Sequence, residues 1–180
     1  MILGIAGPKN SGKDTLANAL NIYNNHPFVI RPFADPVKRV CQQLYLLSDE
    51  QLYDREAKER VDTRWGLSPR QMFQQFGTDY VRRQLSPDFW LKHFELWYYR
   101  QPAGTSVLVP DVRFQNEVDL IHKLGGRVVY VYRPFEDEEE DLHESELNST
   151  QLQHIDFTVN NCGTLEKYYA TIADFNRQLF

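Results

Sequence analysis

Apolar positions along the chain follow two rhythms. Met1–Ala6 is a short continuous apolar run closed by Gly7, and from Lys13 to Asn24 the spacing becomes helical, with Leu16, Ala19, Leu20 and Tyr23 on one face. This predicts a strand, a glycine-rich turn and a helix. Phe28–Phe33 reads as a second strand, stopped by Ala34-Asp35-Pro36. From Val37 to about Arg100 only helical patterns occur, punctuated by Ser48-Asp49, Gly66 and Ser86-Pro87. Alternation then resumes with a strand over Ser106–Val109, a helix over Asn116–Leu124 and a strand over Arg127–Tyr132. An acidic loop (Glu136–Asp141), a strand over Phe157–Val159 and a helix over Thr164–Leu179 complete the chain.

Strands separated by helices imply right-handed crossovers and a mostly parallel sheet covered on both faces. The predicted fold is therefore α/β, a three-layer α/β/α domain over residues 1–180 with a mostly parallel five-stranded sheet. The stretch 37–100 interrupts the alternation and reads as a helical insert; residues 133–150 form a short lid-like segment. A chain of 180 residues with 42% apolar positions has material for one main core.

Charge narrows the function. The net charge of −5 argues against polymeric nucleic acid as a partner, which needs a basic footprint. Residues 36–100 carry 11 Lys/Arg against 9 Asp/Glu, and residues 101–180 carry 6 against 14, so an anionic ligand is favoured in the first half. Cys41 and Cys162 lack metal-ligand spacing and read as free thiols in a reducing compartment. No apolar run reaches the length of a membrane span and no signal peptide opens the chain, so the expected location is the cytosol, without a membrane partner.

Gly7-Pro-Lys-Asn-Ser-Gly12-Lys13-Asp14-Thr15 fits the pattern G-x4-G-K between a strand and a helix. Backbone N–H groups of such a loop, here around Gly7, Asn10, Ser11 and Gly12, aim at phosphate oxygens, and a helix N-terminus adds its dipole. Lys13 contributes a point charge toward the β- and γ-phosphates. Asp14 stands where a hydroxyl residue commonly follows the lysine. The hydroxyl comes one position later, as Thr15; this Lys-x-Thr ending resembles that of nucleoside monophosphate kinases, and the resemblance implies Thr15 as the residue nearest Mg²⁺. A glycine turn that merely joins strand to helix is the plain alternative.

Val107-Leu108-Val109-Pro110-Asp111 is an apolar strand ending in a carboxylate able to orient Mg²⁺ or its waters. Arg113 is placed to offset charge on a transferring phosphoryl group. Glu117 joins the catalytic candidates, although an acid in a helix's first turn also answers the dipole. In the insert, Ser68-Pro69-Arg70-Gln71 reads as an N-cap, a proline at the first helical position and a capping-box glutamine. Met72, Phe73, Phe76 and Tyr80 project onto one face; Arg70, Gln74, Gly77 and Thr78 gather on another. That second strip suits an acceptor, with Arg70 for a phosphate, Gln74 for a base edge and room for a ring at Gly77. A solvated polar face is the bland reading. Trp90 fits either a base stack or a core. Asp35 suits an acceptor sugar or phosphate-bound Mg²⁺ and also starts a turn, and Lys38 reads as a phosphate contact or a surface lysine. Near the C-terminus, Arg133 is a candidate for donor phosphates and Asn161 for the donor adenine, each with a structural alternative. His143, Ser145 and Glu146 form a polar cluster without a hydrolase arrangement.

Five segments in this order, Gly7-x4-Gly12-Lys13-Asp14-Thr15, Phe33-Ala34-Asp35-Pro36-x-Lys38, Ser68-Pro69-Arg70-Gln71-x2-Gln74-x2-Gly77-Thr78, Pro87-Asp88-Phe89-Trp90 and Asp111-Val112-Arg113-Phe114-x2-Glu117, resemble the deoxynucleoside monophosphate kinases of bacteriophages, an adenylate-kinase-like branch of P-loop kinases. The resemblance implies a P-loop fold and transfer of the γ-phosphoryl of ATP, with Mg²⁺, to a deoxynucleoside 5′-monophosphate. It implies that Ser11, Asp14 and Thr15 serve the phosphate site. Arg70, Gln74, Gly77, Thr78 and Trp90 would serve the acceptor, and Asp111, Arg113 and Glu117 the catalytic centre. It also implies a homodimer and, for a phage gene, the host cytoplasm. Two rivals remain open. A dephospho-coenzyme A kinase resembles the Asp35 region and Asn161-x-Gly163-Thr164-Leu165, and a non-catalytic nucleotide-binding protein would keep the loop alone.

Overall fold

The computed structural model describes residues 1–23, 27–134 and 151–179. In chain order its elements are β1 (Ile2–Ala6), α1 (Lys13–Tyr23), β2 (Val29–Ile30), α2 (Asp35–Tyr45), α3 (Asp49–Tyr53), α4 (Arg55–Glu59), α5 (Pro69–Gln74) and a π-helical stretch (Gln75–Leu85). These are followed by α6 (Phe89–Tyr98), β3 (Val107–Val112), α7 (Gln115–Lys123), β4 (Arg127–Tyr132), β5 (Phe157–Asn160) and α8 (Leu165–Leu179). They form two compact units, Met1–Pro32 with Arg100–Phe180, and Phe33–Tyr99.

The first unit holds one five-stranded sheet in the order β2-β3-β1-β4-β5, with every neighbouring pair parallel. Parallel strands cannot be joined by tight turns, so helices carry the chain back, and the sheet strands become nearly continuous apolar runs. Every residue of β1 is buried. Leu3, Ile5, Leu16, Leu20, Val129, Val131, Ile172 and Phe175 share one core, which joins β1 and β4 to helices α1 and α8. This is the α/β architecture expected from the alternation.

Two details of the sheet matter for function. First, β3 pairs Val109 with Gly4 and Val112 with Ala6, so Pro110 and Asp111 lie together opposite Ile5. Proline cannot donate to a ladder, and a bulge is where a central strand tolerates one. The bulge sets Asp111 one residue before the partner of Ala6, beside the start of the glycine loop. Second, β2 is only two residues long, shorter than the Phe28–Phe33 expected. It is an edge strand whose ladder is Val29 N–H to Ser106 O at 2.8 Å and Arg31 N–H to Leu108 O at 2.9 Å. Asp35 consequently opens α2 instead of closing a strand.

The second unit is wholly helical and has two small cores, Val37, Cys41, Val81 and Trp90 in one and Leu47, Leu52 and Met72 in the other. The expected cap is present. Ser68 N–H donates to Gln71 Oε1 at 2.9 Å and Gln71 N–H to Ser68 Oγ at 3.3 Å, with Pro69 next in line. Ser48 and Gln51 repeat the device at α3. After Gln74 the helix widens, closing with Ser86 N–H on Val81 O, five residues back, at 3.0 Å. The wider turn shifts the phase of every later side chain. Tyr80, expected on the face of Met72, Phe73 and Phe76, is therefore 53% exposed. Both cysteines are free; burial pushes the Cys41 thiol up to about 12, and Cys162 is exposed.

Candidate active site

The loop after β1 is built from residues in unusual backbone states. Gly7 has φ +138°, Asn10 φ 64° and Gly12 φ +103°. A Cβ on Gly7 would lie 2.6 Å from Val131 O and 2.9 Å from Ser11 Oγ. Only glycine lets β1 turn at this point while staying against β4. The first helical bond of α1 runs from Leu16 N–H to Gly12 O at 3.0 Å, so the amides of Lys13 to Thr15 precede the helical ladder and carry the positive end of its dipole. Lys13 Nζ lies across the loop, donating to Gly7 O at 2.7 Å and to Pro8 O. Ser11 Oγ is buried with no hydrogen-bond partner among the described residues. Arg133, at the end of β4, reaches the same loop, with Nη1 3.4 Å from Asn10 O. Asp14 is exposed and Thr15 partly buried, both in the first turn of α1.

Glycine geometry, a folded-back ammonium and the amides at the start of α1 are together the kind of arrangement that can cradle a polyphosphate. Thr15 and Asp111 supply a hydroxyl and a carboxylate, the hard oxygen donors that suit Mg²⁺. Among the described residues no group of three or more His, Cys, Asp or Glu side chains gathers as a protein-only metal site.

Glu117, expected at the catalytic centre, is bonded to the peptide that carries Arg113. It is 2% exposed, and Oε2 accepts from Arg113 N–H at 2.7 Å and Phe114 N–H at 3.1 Å. A carboxylate three residues into a helix bonds back to the turn that starts it, so Glu117 fixes the peptide that carries Arg113. Glu117→Ala strands two partly buried donors and is expected to cost about 1–3 kcal/mol. At roughly 2–4 °C per kcal/mol for a chain of this size, thermal denaturation should show a clear drop.

Asn161, expected near the donor adenine, lies against the loop. Its Nδ2 donates to Ser11 O at 2.8 Å from a buried position.

The acceptor candidates all belong to the helical unit. Arg70 is partly buried, and Nε donates to Glu59 Oε1 at 2.6 Å in an ion pair. Gln74 and Thr78 are partly buried. Gly77 does not reserve room for a ring: a Cβ there would meet Val37 Cγ1 at 2.9 Å, so the missing side chain admits Val37 of α2. Trp90 is buried at 5% exposure among Val37, Cys41 and Val81, its Nε1 donating to Gly77 O at 3.0 Å. Of the two readings open for it, the ring packs as part of this core. A buried indole needs one acceptor, and the widened helix supplies it. Asp35 is the first residue of α2, and Lys38 Nζ lies 5.3 Å from the Tyr53 ring centroid.

Of the expected lid, only Arg133 and Pro134 are described; Glu136–Asp141, His143, Ser145 and Glu146 lie outside the described residues. Two contacts escaped the sequence reading. Glu59 pairs with Arg70 across eleven positions, a spacing without periodic signature. Tyr168 OH donates to Gly12 O at 3.0 Å. Its signal was a tyrosine on the buried stripe with Ile172 and Phe175, where a phenol must find a partner.

The chain is similar to known proteins. The deoxynucleotide monophosphate kinase family matches residues 47–172. An Acanthamoeba polyphaga mimivirus protein named as such a kinase is 38% identical over 184 residues, covering 96% of this chain and 94% of its own. The deoxynucleotide monophosphate kinase of Enterobacteria phage T4 is 28% identical over 114 residues, 62% of this chain and 46% of its own. Among solved structures, the dephospho-CoA kinase of Campylobacter jejuni superposes with TM-score 0.55 at 14% identity, over 99% of this chain and 96% of that one. Shikimate kinase of Aquifex aeolicus gives TM-score 0.52 at 17% identity, over 99% and 96%. At such identities the structural likeness establishes the P-loop kinase fold and nothing finer.

Proposed function

The chain belongs to the deoxynucleotide monophosphate kinase family, and from that premise we propose how its residues divide the work of moving the γ-phosphoryl of ATP to a deoxynucleoside 5′-monophosphate. It is a phosphotransferase that uses a nucleotide donor and a nucleoside monophosphate acceptor. What carries the reading is the loop itself, with Gly7 and Gly12 in glycine-only geometry, Lys13 lying across its mouth and Arg133 against its rim.

Phosphoryl transfer asks a protein mainly for position, charge and exclusion of water. The attacking acceptor phosphate is already anionic at neutral pH, so no general base is required. Lys13 and the helix-start amides hold the donor's β- and γ-oxygens, and Arg133 holds a further donor oxygen. Thr15 and Asp111 are the residues to hold Mg²⁺, which when bound neutralises charge on the phosphates. Arg113, with its peptide fixed by Glu117, answers the charge that develops on the transferring group. Arg70 holds the acceptor phosphate; its planar fork suits two oxygens at once, and its pair with Glu59 shows that the guanidinium takes an anionic oxygen partner. Gln74 and Thr78, four and eight residues beyond Arg70, are the polar groups assigned to the nucleoside. A homodimer is part of the same proposal.

A panel of dAMP, dGMP, dCMP, dTMP and dephospho-CoA with ATP, read as ADP release, tests the assignment. Transfer to at least one deoxynucleoside monophosphate is expected; transfer to the coenzyme precursor alone would overturn it. In the same assay Arg70→Ala should raise KM for the monophosphate about tenfold or more while leaving KM for ATP nearly unchanged, because a charge-assisted contact is worth about 1.5–3 kcal/mol. An unchanged acceptor KM would remove Arg70 from the acceptor site.

A further inference from the structure

Two side chains from the C-terminal end of the sheet unit close on consecutive carbonyls of the phosphate loop. Asn161, just past β5, has its backbone N–H on Tyr132 O at 2.8 Å, which fixes it beside β4. Its Nδ2 donates to Ser11 O at 2.8 Å. Tyr168, on α8, is 2% exposed and donates its hydroxyl to Gly12 O at 3.0 Å, while Gly12 O also takes Leu16 N–H. Each carbonyl is therefore drawn toward the strand–helix corner of β5 and α8.

In a trans peptide the carbonyl of one residue and the N–H of the next point in opposite directions. No described peptide is cis. Holding Ser11 O and Gly12 O outward turns the N–H groups of Gly12 and Lys13 the other way. These are the donors a phosphate would use at this loop.

Gly12 gains a second meaning from the same contacts. A Cβ built on it would lie 2.6 Å from Asn161 Nδ2 and 3.0 Å from Tyr168 Cε1. The space a side chain would fill is taken by the two groups that grip the loop. Burial raises the Tyr168 phenol above its usual range, so it remains a protonated donor across neutral and mildly alkaline pH.

We propose that Asn161 and Tyr168 are positioning residues for the donor site, a two-point strap that presets the peptides of Gly12 and Lys13 for ATP phosphates. The proposal rests on the phosphate-loop reading and adds to it a structural origin for the loop's orientation. Neither residue touches the reacting atoms; both act through the loop.

The test uses Tyr168→Phe, which keeps the packed ring and removes only the hydroxyl, and Asn161→Leu, which keeps roughly the size and removes the donor without adding a charge. In the full-length enzyme each should raise KM for ATP roughly three- to tenfold, the worth of one hydrogen bond to the loop. KM for the monophosphate should stay within about twofold, and Tyr168→Phe should leave Tm nearly unchanged. Calorimetric titration of ATP into each variant should show a matching loss of affinity. Unchanged ATP affinity in both variants overturns the strap. So does a parallel rise of both KM values with a falling Tm, which marks general loosening. Wild-type protein that binds ATP but transfers to no monophosphate would refute the kinase assignment, and the titration would still decide the strap on its own.

Discussion

Lys13→Met is expected to remove at least a hundredfold from kcat while the protein stays folded. Methionine keeps the length and most of the volume of lysine and deletes the charge. The ammonium donates to the carbonyls of Gly7 and Pro8. On the proposed reading it exchanges them for the β- and γ-phosphates, one set of oxygen acceptors for another. Losing a preorganised donor aimed at developing charge typically costs a hundred- to a thousandfold, or about 2.7–4 kcal/mol. The loss of two partly buried hydrogen bonds should take only about 1–3 kcal/mol from stability. Steady-state ADP release beside circular-dichroism melting separates the two effects. Retention of more than about a tenth of wild-type kcat would remove Lys13 from the transition state.

Sequence pattern carried the sheet unit well because its signals are local. A six-residue apolar run, a glycine loop and a helical stripe each state their own structure, and together they place β1, the loop and α1. Pro110 also signals its bulge, since a proline in a central parallel strand has few other places to be. The helical unit was legible where a cap announced it, as at Ser68 and Gln71, and illegible where geometry left the 3.6-residue period. The π-helical stretch carries no sequence mark, so the strip drawn through Arg70, Gln74, Gly77 and Thr78 mixed a packing glycine with polar side chains. Trp90 and Glu117 show a second limit. Their chemistry allows catalysis or recognition, and only burial together with a named partner assigns Trp90 Nε1 to Gly77 O and Glu117 Oε2 to Arg113 N–H. Tyr168 shows the converse, an aromatic on a core stripe whose polar tip reaches a loop 156 positions away.

Gly7→Ala is expected to be the most damaging single methyl group in the molecule, and a comparison with Gly125→Ala shows why. Both glycines have positive φ, +138° at Gly7 and +76° at Gly125. A Cβ at Gly125 meets nothing within 4 Å, so that variant carries only backbone strain, about 1–2 kcal/mol. A Cβ at Gly7 carries strain and also meets Val131 O at 2.6 Å. Val131 cannot step aside, because it belongs to β4, paired on one side with β1 and on the other with β5. Overpacking against fixed backbone adds about 1–3 kcal/mol, so the total should be about 2–5 kcal/mol. At roughly 2–4 °C per kcal/mol, the melting temperature should fall by about 5–20 °C for Gly7→Ala and by only a few degrees for Gly125→Ala. The folded fraction of Gly7→Ala should also lose ATP binding, since any relief of the clash moves the loop away from β4 and carries Ser11 Oγ, 2.9 Å from the new methyl, with it. Equal melting temperatures for the two variants would mean that the loop can leave the sheet without cost. In that case the cradle is shaped by its ligand and not by the strands beneath it.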